Sequence, residues 1–338
     1  MKKVLFFLLA SISIVAQKTE TIDLSKSIKD NKKTYKNFTV IDQRSSKDIG
    51  SVQFHKDMVN IVFENNAETD LKNWFFKYNP VRGNEELVLL LENVVISEEK
   101  KEKFSVGKLA VRASTFIKKE DGYHFLHRTD TATTVSSRTT PYMAQSLSKK
   151  LTLTFSDLLK KSFEARQWDF PLSESELSNY ETLLRDKLEI LKTDELKEGV
   201  YKDYYSFFTH NPEPGFTIET NSKGIATKAV KGDEKKAIRN FYAFVHNGVP
   251  FKVIPVGYVE IFRDSNKLFI EAKREELFPE DASGTAVIGA SFGLVGALVS
   301  VAIDSAVAKK RRGIPGSEVV LDPLSGYYIL PEDFGKNK

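Results

Sequence analysis

Hydrophobic and polar positions change period several times along the 338-residue chain, and each change marks an element. Val4–Val15 is a largely apolar run behind Lys2 and Lys3, closed by Ala16 and the polar Gln17–Lys18–Thr19–Glu20. Basic, apolar, small, polar is the layout of a secretory signal peptide; twelve residues of helix span about 18 Å, too short for a bilayer core. Cleavage is expected after Ala16 or Gln17. Residues 18–36 hold six lysines and few large apolar side chains, which reads as a flexible leading segment. Short strand patterns follow at 38–42, 49–54 and 58–63. From Asn66 to Tyr78 the spacing turns helical, with Leu71, Trp74, Phe75 and Tyr78 on one face until Asn79–Pro80 stops it. Three long strand patterns occupy 86–97, 104–117 and 123–135, the last two joined at Asp121–Gly122. An amphipathic helix is expected over 141–168, its stripe being Leu147, Leu151, Phe155, Leu158 and Phe163.

The second half opens with a predicted helix over Ser173–Lys192, started by Ser173 and Glu176 in capping-box positions. An aromatic-rich stretch at 199–208 and a Pro/Gly loop at 210–215 come next. Four short strands are predicted at 241–245, 251–254, 258–262 and 268–272, and two more around the Asp322–Gly326 turn. The element order predicts an α+β protein: an N-terminal mixed sheet with helices on one face, then a smaller β-rich domain carrying one apolar Gly/Ala-rich helix. The division that follows is signal peptide 1–17, flexible segment 18–36, α+β domain 37–168, connecting helix 169–198 and β-rich domain 199–338.

The short strand ending in Asp (Val40–Ile41–Asp42–Gln43–Arg44), the Ile49–Gly50 pair, and the helix, strand meander and closing helix after them resemble YajG-type, transport-auxiliary lipoprotein domains of bacterial envelopes. The likeness covers about 130 residues and implies an envelope protein. The acylated Cys of those domains has no counterpart here, so their attachment does not carry over. The Gly-Val-Tyr start of the second half and its Leu-Asp-Pro…Gly end are similar to exported proteins of Bacteroidota, a resemblance that brings no activity with it.

Composition narrows the function further. Fifty Lys+Arg against 46 Asp+Glu leave a net charge of +4, evenly spread, so nucleic acid is not expected as a partner. The absence of Cys excludes disulfides, thiolate-held metals and a thiol nucleophile. Gly289–Ala290–Ser291–Phe292–Gly293 matches a nucleophile elbow, but the last histidine, His246, precedes Ser291, and the triad order of that fold needs one after it. His124 and His127 lie on a predicted strand and point to opposite faces, so they do not chelate one ion. The Glu pairs at 98–99 and 275–276 read as solvated faces, and no phosphate-binding glycine loop is present. No catalytic, cofactor or metal site is expected.

Ala282–Ile303 is 22 residues without a charge, bracketed by Asp281 and Asp304. Gly289 and Gly293, with Gly296, Ala286, Ala290 and Ala297, make a small-residue face suited to close packing or a membrane span. Lys309, Lys310, Arg311 and Arg312 follow and suit anionic lipid headgroups. The leading reading is an exported, non-catalytic envelope protein, structural or assembly- or transport-auxiliary, with a membrane or protein partner, self-association included, engaged through 282–303. The alternatives are a soluble periplasmic or secreted module binding glycan or peptide through Tyr201, Tyr204, Tyr205, Phe207 and Phe208, and a serine hydrolase using Ser291.

Overall fold

A computed structural model describes residues 18–264, 267–279, 316–331 and 334. In chain order the first elements are β1 (Lys18–Thr21), β2 (Tyr35–Asp42), β3 (Ser51–Phe54), β4 (Asp57–Val62), α1 (Ala67–Tyr78), β5 (Glu85–Lys100), β6 (Ser105–Lys119), β7 (Gly122–Ser136) and α2 (Met143–Glu164). Then come β8 (Pro171–Leu172), α3 (Tyr180–Arg185), β9 (Gly199–Tyr201), α4 (Tyr204–Phe208), β10 (Thr217–Thr220), β11 (Ala226–Lys231), β12 (Glu234–Ala237), β13 (Ala243–His246) and β14 (Val249–Ile254). The last are β15 (Gly257–Asp264), β16 (Lys267–Ala272), α5 (Arg274–Leu277), β17 (Ser317–Leu321) and β18 (Tyr328–Ile329).

The strands form four sheets, ordered β1-β4-β3, β2-β5-β6-β7-β8, β10-β11-β12 and β18-β17-β16-β15-β14-β13-β9. Two compact units result. One holds Met1–Asn84, Val88–Ala113 and Asp130–Lys160; the other holds Glu85–Leu87, Ser114–Thr129 and Lys161–Lys338.

In the first unit α1 starts where expected, because the Asn66 side chain accepts from Thr69 N at 2.8 Å and Glu68 and Asp70 sit in the positive first turn. Its buried face is Leu71, Trp74 and Phe75, the last stacked on Phe38 of β2 at 4.8 Å. Residues 18–30 lie as a strap held at many points. β1 pairs parallel with β4, and Ile22 N donates to Val62 O at 2.9 Å. Thr152 Oγ1 donates to Asp23 O at 2.9 Å, and Trp74 Nε1 to Lys26 O at 2.8 Å. Buried Asn79 donates to Ile28 O at 3.2 Å and accepts from Asp30 N at 2.7 Å. Gly50 is required by its backbone: φ is +115°, and a Cβ there would lie 2.0 Å from the Ile96 carbonyl oxygen.

In the second unit the predicted 173–192 helix is broken into a 3₁₀ turn (Glu174–Asn179), α3 and a second 3₁₀ turn (Glu189–Leu191). Its start is as the sequence indicates, with Ser173 N donating to Glu176 Oε2 at 2.7 Å. Ser178 and Asn179, weak helix formers, stand at the first break. The seven-stranded sheet turns Ile261, Ile270 and Val319 inward. The sheet of β10, β11 and β12 closes a small core of Val200, Ala226, Ala229, Ile238, Phe241 and Phe244.

The α+β expectation is therefore corrected. Strands make up 43% of the described residues and helices 22%, in several sheets, so the protein is mostly β. The physical reason is plain in the elements: β5, β6 and β7 run 15 or 16 residues each, the connecting helix breaks, and three strands arise between 217 and 237 where none was predicted. The expected apolar Gly/Ala-rich helix falls within 280–315, outside the described residues. Among those described, no helix is long and apolar enough to cross a membrane, which says nothing of a β-barrel.

Candidate functional site

The residues singled out by the sequence, Ala286, Gly289, Ala290, Gly293, Gly296, Ala297 and the quartet Lys309–Arg312, lie outside the described residues, as do Ser291 and the signal segment 1–17. What is described is the frame that carries them. β16 and β17 are antiparallel neighbours, with Ala272 opposite Ser317, Glu271 opposite Glu318, Ile270 opposite Val319 and Phe269 opposite Val320. The chain leaves this edge after α5 and returns at Gly316, whose Cα lies so close to Ala272 that a Cβ would meet the Ala272 nitrogen at 2.7 Å. Residues 280–315 are thus an insertion between two hydrogen-bonded strands.

Both histidines of β7 are buried. His124 lies 2.8 Å from Trp168 O through Nδ1 and 3.0 Å from Asp121 Oδ1 through Nε2. His127 lies 3.4 Å from the Tyr204 hydroxyl and 3.3 Å from that of Tyr327. Burial, with Lys161 and Arg128 nearby, pushes the His127 pKa down to about 3, so its ring is neutral at every physiological pH. Among the described residues no group of three or more His, Asp or Glu side chains could hold a metal ion.

Four of the five residues of the aromatic cluster face inward. Tyr201, Tyr205, Phe207 and Phe208 are buried. Tyr205 packs on Trp168 at 5.3 Å, Tyr201 on Phe207 at 5.3 Å, and Phe207 on Phe208 at 5.5 Å. Tyr204 is half-buried, its hydroxyl donating to Leu126 O at 3.4 Å, and burial of that hydroxyl raises its pKa.

Around Tyr204 the structure assembles polar groups that sequence reading missed. The Asp322–Pro323–Leu324–Ser325–Gly326 turn is sunk into the unit, with Asp322, Leu324 and Ser325 buried. Arg128 Nη2 donates to Asp322 Oδ1 at 2.7 Å, and Arg128 Nη1 lies 3.2 Å from Glu181 Oε2. Burial opposes the Arg128 charge, but Asp322, Tyr180 and Glu181 keep the guanidinium protonated and raise its pKa. Ser325 Oγ donates to the second Asp322 oxygen, and Lys161 Nζ donates to the Tyr327 hydroxyl. Gly326 has φ +73°, and a Cβ there would strike the Tyr204 side chain at 2.7 Å. In the same unit Lys252 is buried, and among the described residues no ion pair reaches it. Its Nζ donates to Tyr242 O at 3.1 Å and Val253 O at 2.7 Å and stands 3.9 Å from the Tyr242 ring centroid. Burial pushes the Lys252 pKa down to about 7.

These groups pair with one another inside the core, although Arg128 Nε and Nη1 are buried without a hydrogen-bond partner among the described residues. The network fixes the turn and orients β18; it presents no nucleophile paired with a base at an open surface.

No family model and no curated protein sequence matches the chain. Among solved structures it is similar to a minor lipoprotein from Acinetobacter baumannii, at 12% identity and a TM-score of 0.26, over 40% of this chain and 98% of that one.

Proposed function

We propose that the chain is an exported, non-catalytic protein of the cell envelope that attaches to an apolar surface, membrane or protein, through the segment 282–303. The observation that carries this reading is the pairing of Ala272 with Ser317. Because the two ends of the insertion lie side by side in one sheet, the sheet closes without the 36 residues between Pro279 and Gly316. An uncharged run of this length, kept but not needed for closure, suits contact with something outside the sheet. Both ends emerge on the same side, which favours attachment from one side over a single crossing, since one crossing would part Ala272 from Ser317.

Replacing 280–315 by a short Gly/Ser turn tests the reading. The parent is expected in the envelope fraction, resistant to carbonate and released by detergent. The shortened chain is expected in the soluble fraction with the fluorescence of buried Trp168 unchanged. Identical fractionation of the two proteins would refute the proposal.

A further inference from the structure

Between the leading strap and α2 the first unit opens a groove of about 620 Å³. Small-molecule sites run from about 300 to 1,000 Å³, so the space suits a ligand of a few hundred daltons. One wall is the strap, which brings Glu20, Asp23 and Lys26; the other is the first half of α2, which brings Gln145, Ser148 and Lys149. Both walls are fixed within the unit. α2 is anchored by buried Leu147, Leu151 and Phe155. The Thr152 hydroxyl ties the walls together by donating to Asp23 O at 2.9 Å, and Trp74 Nε1 holds the Lys26 carbonyl at 2.8 Å. A groove set in this way loses little freedom when a ligand enters.

Its charges are of both signs and do not answer one another. Among the described residues no ion pair reaches Glu20, Asp23, Lys26 or Lys149, whereas Lys18 on the same strap is paired with Asp57 at 2.7 Å. Asp23 accepts one hydrogen bond, from Ser25 Oγ at 2.8 Å. Ser148 is a second, independent sign of a ligand. It is only 3% exposed and lines the groove, yet among the described residues its hydroxyl has no hydrogen-bond partner. A polar group so enclosed is normally satisfied, and here the groove is the side from which a partner can come. Gln145 adds an amide that both donates and accepts.

This set of groups selects a chemistry. A polyamine would leave both lysines unanswered, and a polyanion would leave both carboxylates unanswered. No aromatic side chain lines the groove to stack a sugar ring or a base. We propose that the groove between the strap and α2 binds a short peptide with free ends. Its ammonium group pairs with Glu20 and Asp23, its carboxylate with Lys26 and Lys149, and its amide groups with Gln145 and the Ser148 hydroxyl. The reading does not rest on attachment through 282–303, since every residue it uses belongs to the first unit.

Equilibrium dialysis of the full chain against a library of tripeptides with free ends, read by mass spectrometry, tests it. Some of the tripeptides are expected to be retained. Acetylating the amine or amidating the carboxyl group of the best-retained peptide is expected to raise its Kd about tenfold in each case. Glu20→Gln/Asp23→Asn should then lose the preference for the free amine alone, and Lys26→Met/Lys149→Met the preference for the free carboxylate alone. Ser148→Ala should weaken binding about fivefold, with Trp74 and Trp168 fluorescence confirming the fold. No retained tripeptide, a capped peptide held as tightly as the free one, or folded variants in which the two preferences do not separate would each overturn the proposal.

Discussion

Replacing Lys252 by Met should stabilise the protein, and the gain should depend on pH in a way that only a buried lysine explains. The folded pKa of about 7 against an ordinary 10.5 means that folding favours the neutral amine. Above pH 10.5 both states are neutral and the residue costs nothing. Between pH 10.5 and 7 the unfolded chain takes up the proton first, so parent stability falls as pH falls, at about 1.4 kcal/mol per unit. Below pH 7 both states are charged and the full cost, about 5 kcal/mol, persists. Met keeps the length and apolar stem but leaves the Tyr242 and Val253 carbonyls without the amine, a loss of about 2 kcal/mol. The variant should therefore exceed the parent by about 3 kcal/mol at pH 6, and the two should be nearly equal by pH 9.5. Urea titrations followed at Trp168, with Trp74→Phe removing the other tryptophan, measure this directly. A difference that stays constant from pH 6 to 9.5, or a parent more stable throughout, would refute the argument.

Asp322→Ala should destabilise the second unit by about 3 to 5 kcal/mol in the same titration, because it strands a buried guanidinium; Glu181→Gln, on the half-exposed partner, should cost under about 1 kcal/mol. Gly50→Ala should lower the stability of the first unit by at least about 2 kcal/mol, read as a drop in thermal midpoint, because backbone and not a movable side chain blocks the Cβ. Asn79→Ala should free the strap: a loss of about 2 to 3 kcal/mol, together with faster proteolysis near Lys26 and Lys29 than in the parent. A fluorophosphonate probe should label the parent and Ser291→Ala equally or not at all; labelling lost in the variant would restore the hydrolase reading.

Local pattern carried α1, α2, the long strands and the β13–β16 meander, because each has a buried face written at period 2 or 3.6 within its own sequence. The strands between 217 and 237 were hidden, since the face they bury is made of Ala226 and Ala229 and the rest is Lys, Thr and Glu. The leading segment shows its lysines in composition, whereas its fastenings belong to Trp74, Asn79 and Thr152, which no local window contains. Lys252 stands in the same parity as Ile254, but Phe251 and Val253 are equally apolar, so alternation does not say which face is inside. The Arg128–Asp322 contact joins residues 194 apart, beyond any pattern reading. The insertion was legible as an uncharged run; that its ends meet was not, because register is a property of the sheet.

The Arg128–Asp322 pair also sets an order of events. β7 is made early, yet the more buried of the two carboxylates that answer its Arg128 comes almost two hundred residues later, on the far side of the insertion. A chain that has emerged only as far as residue 321 would bury that guanidinium with the half-exposed Glu181 as its counter-ion and without its more buried partner, so closing this unit is less favourable until the last turn arrives. Completion of the Arg128 ion-pair set therefore waits on the C-terminal turn, so the full stability of this unit is reached only when Asp322 is in place.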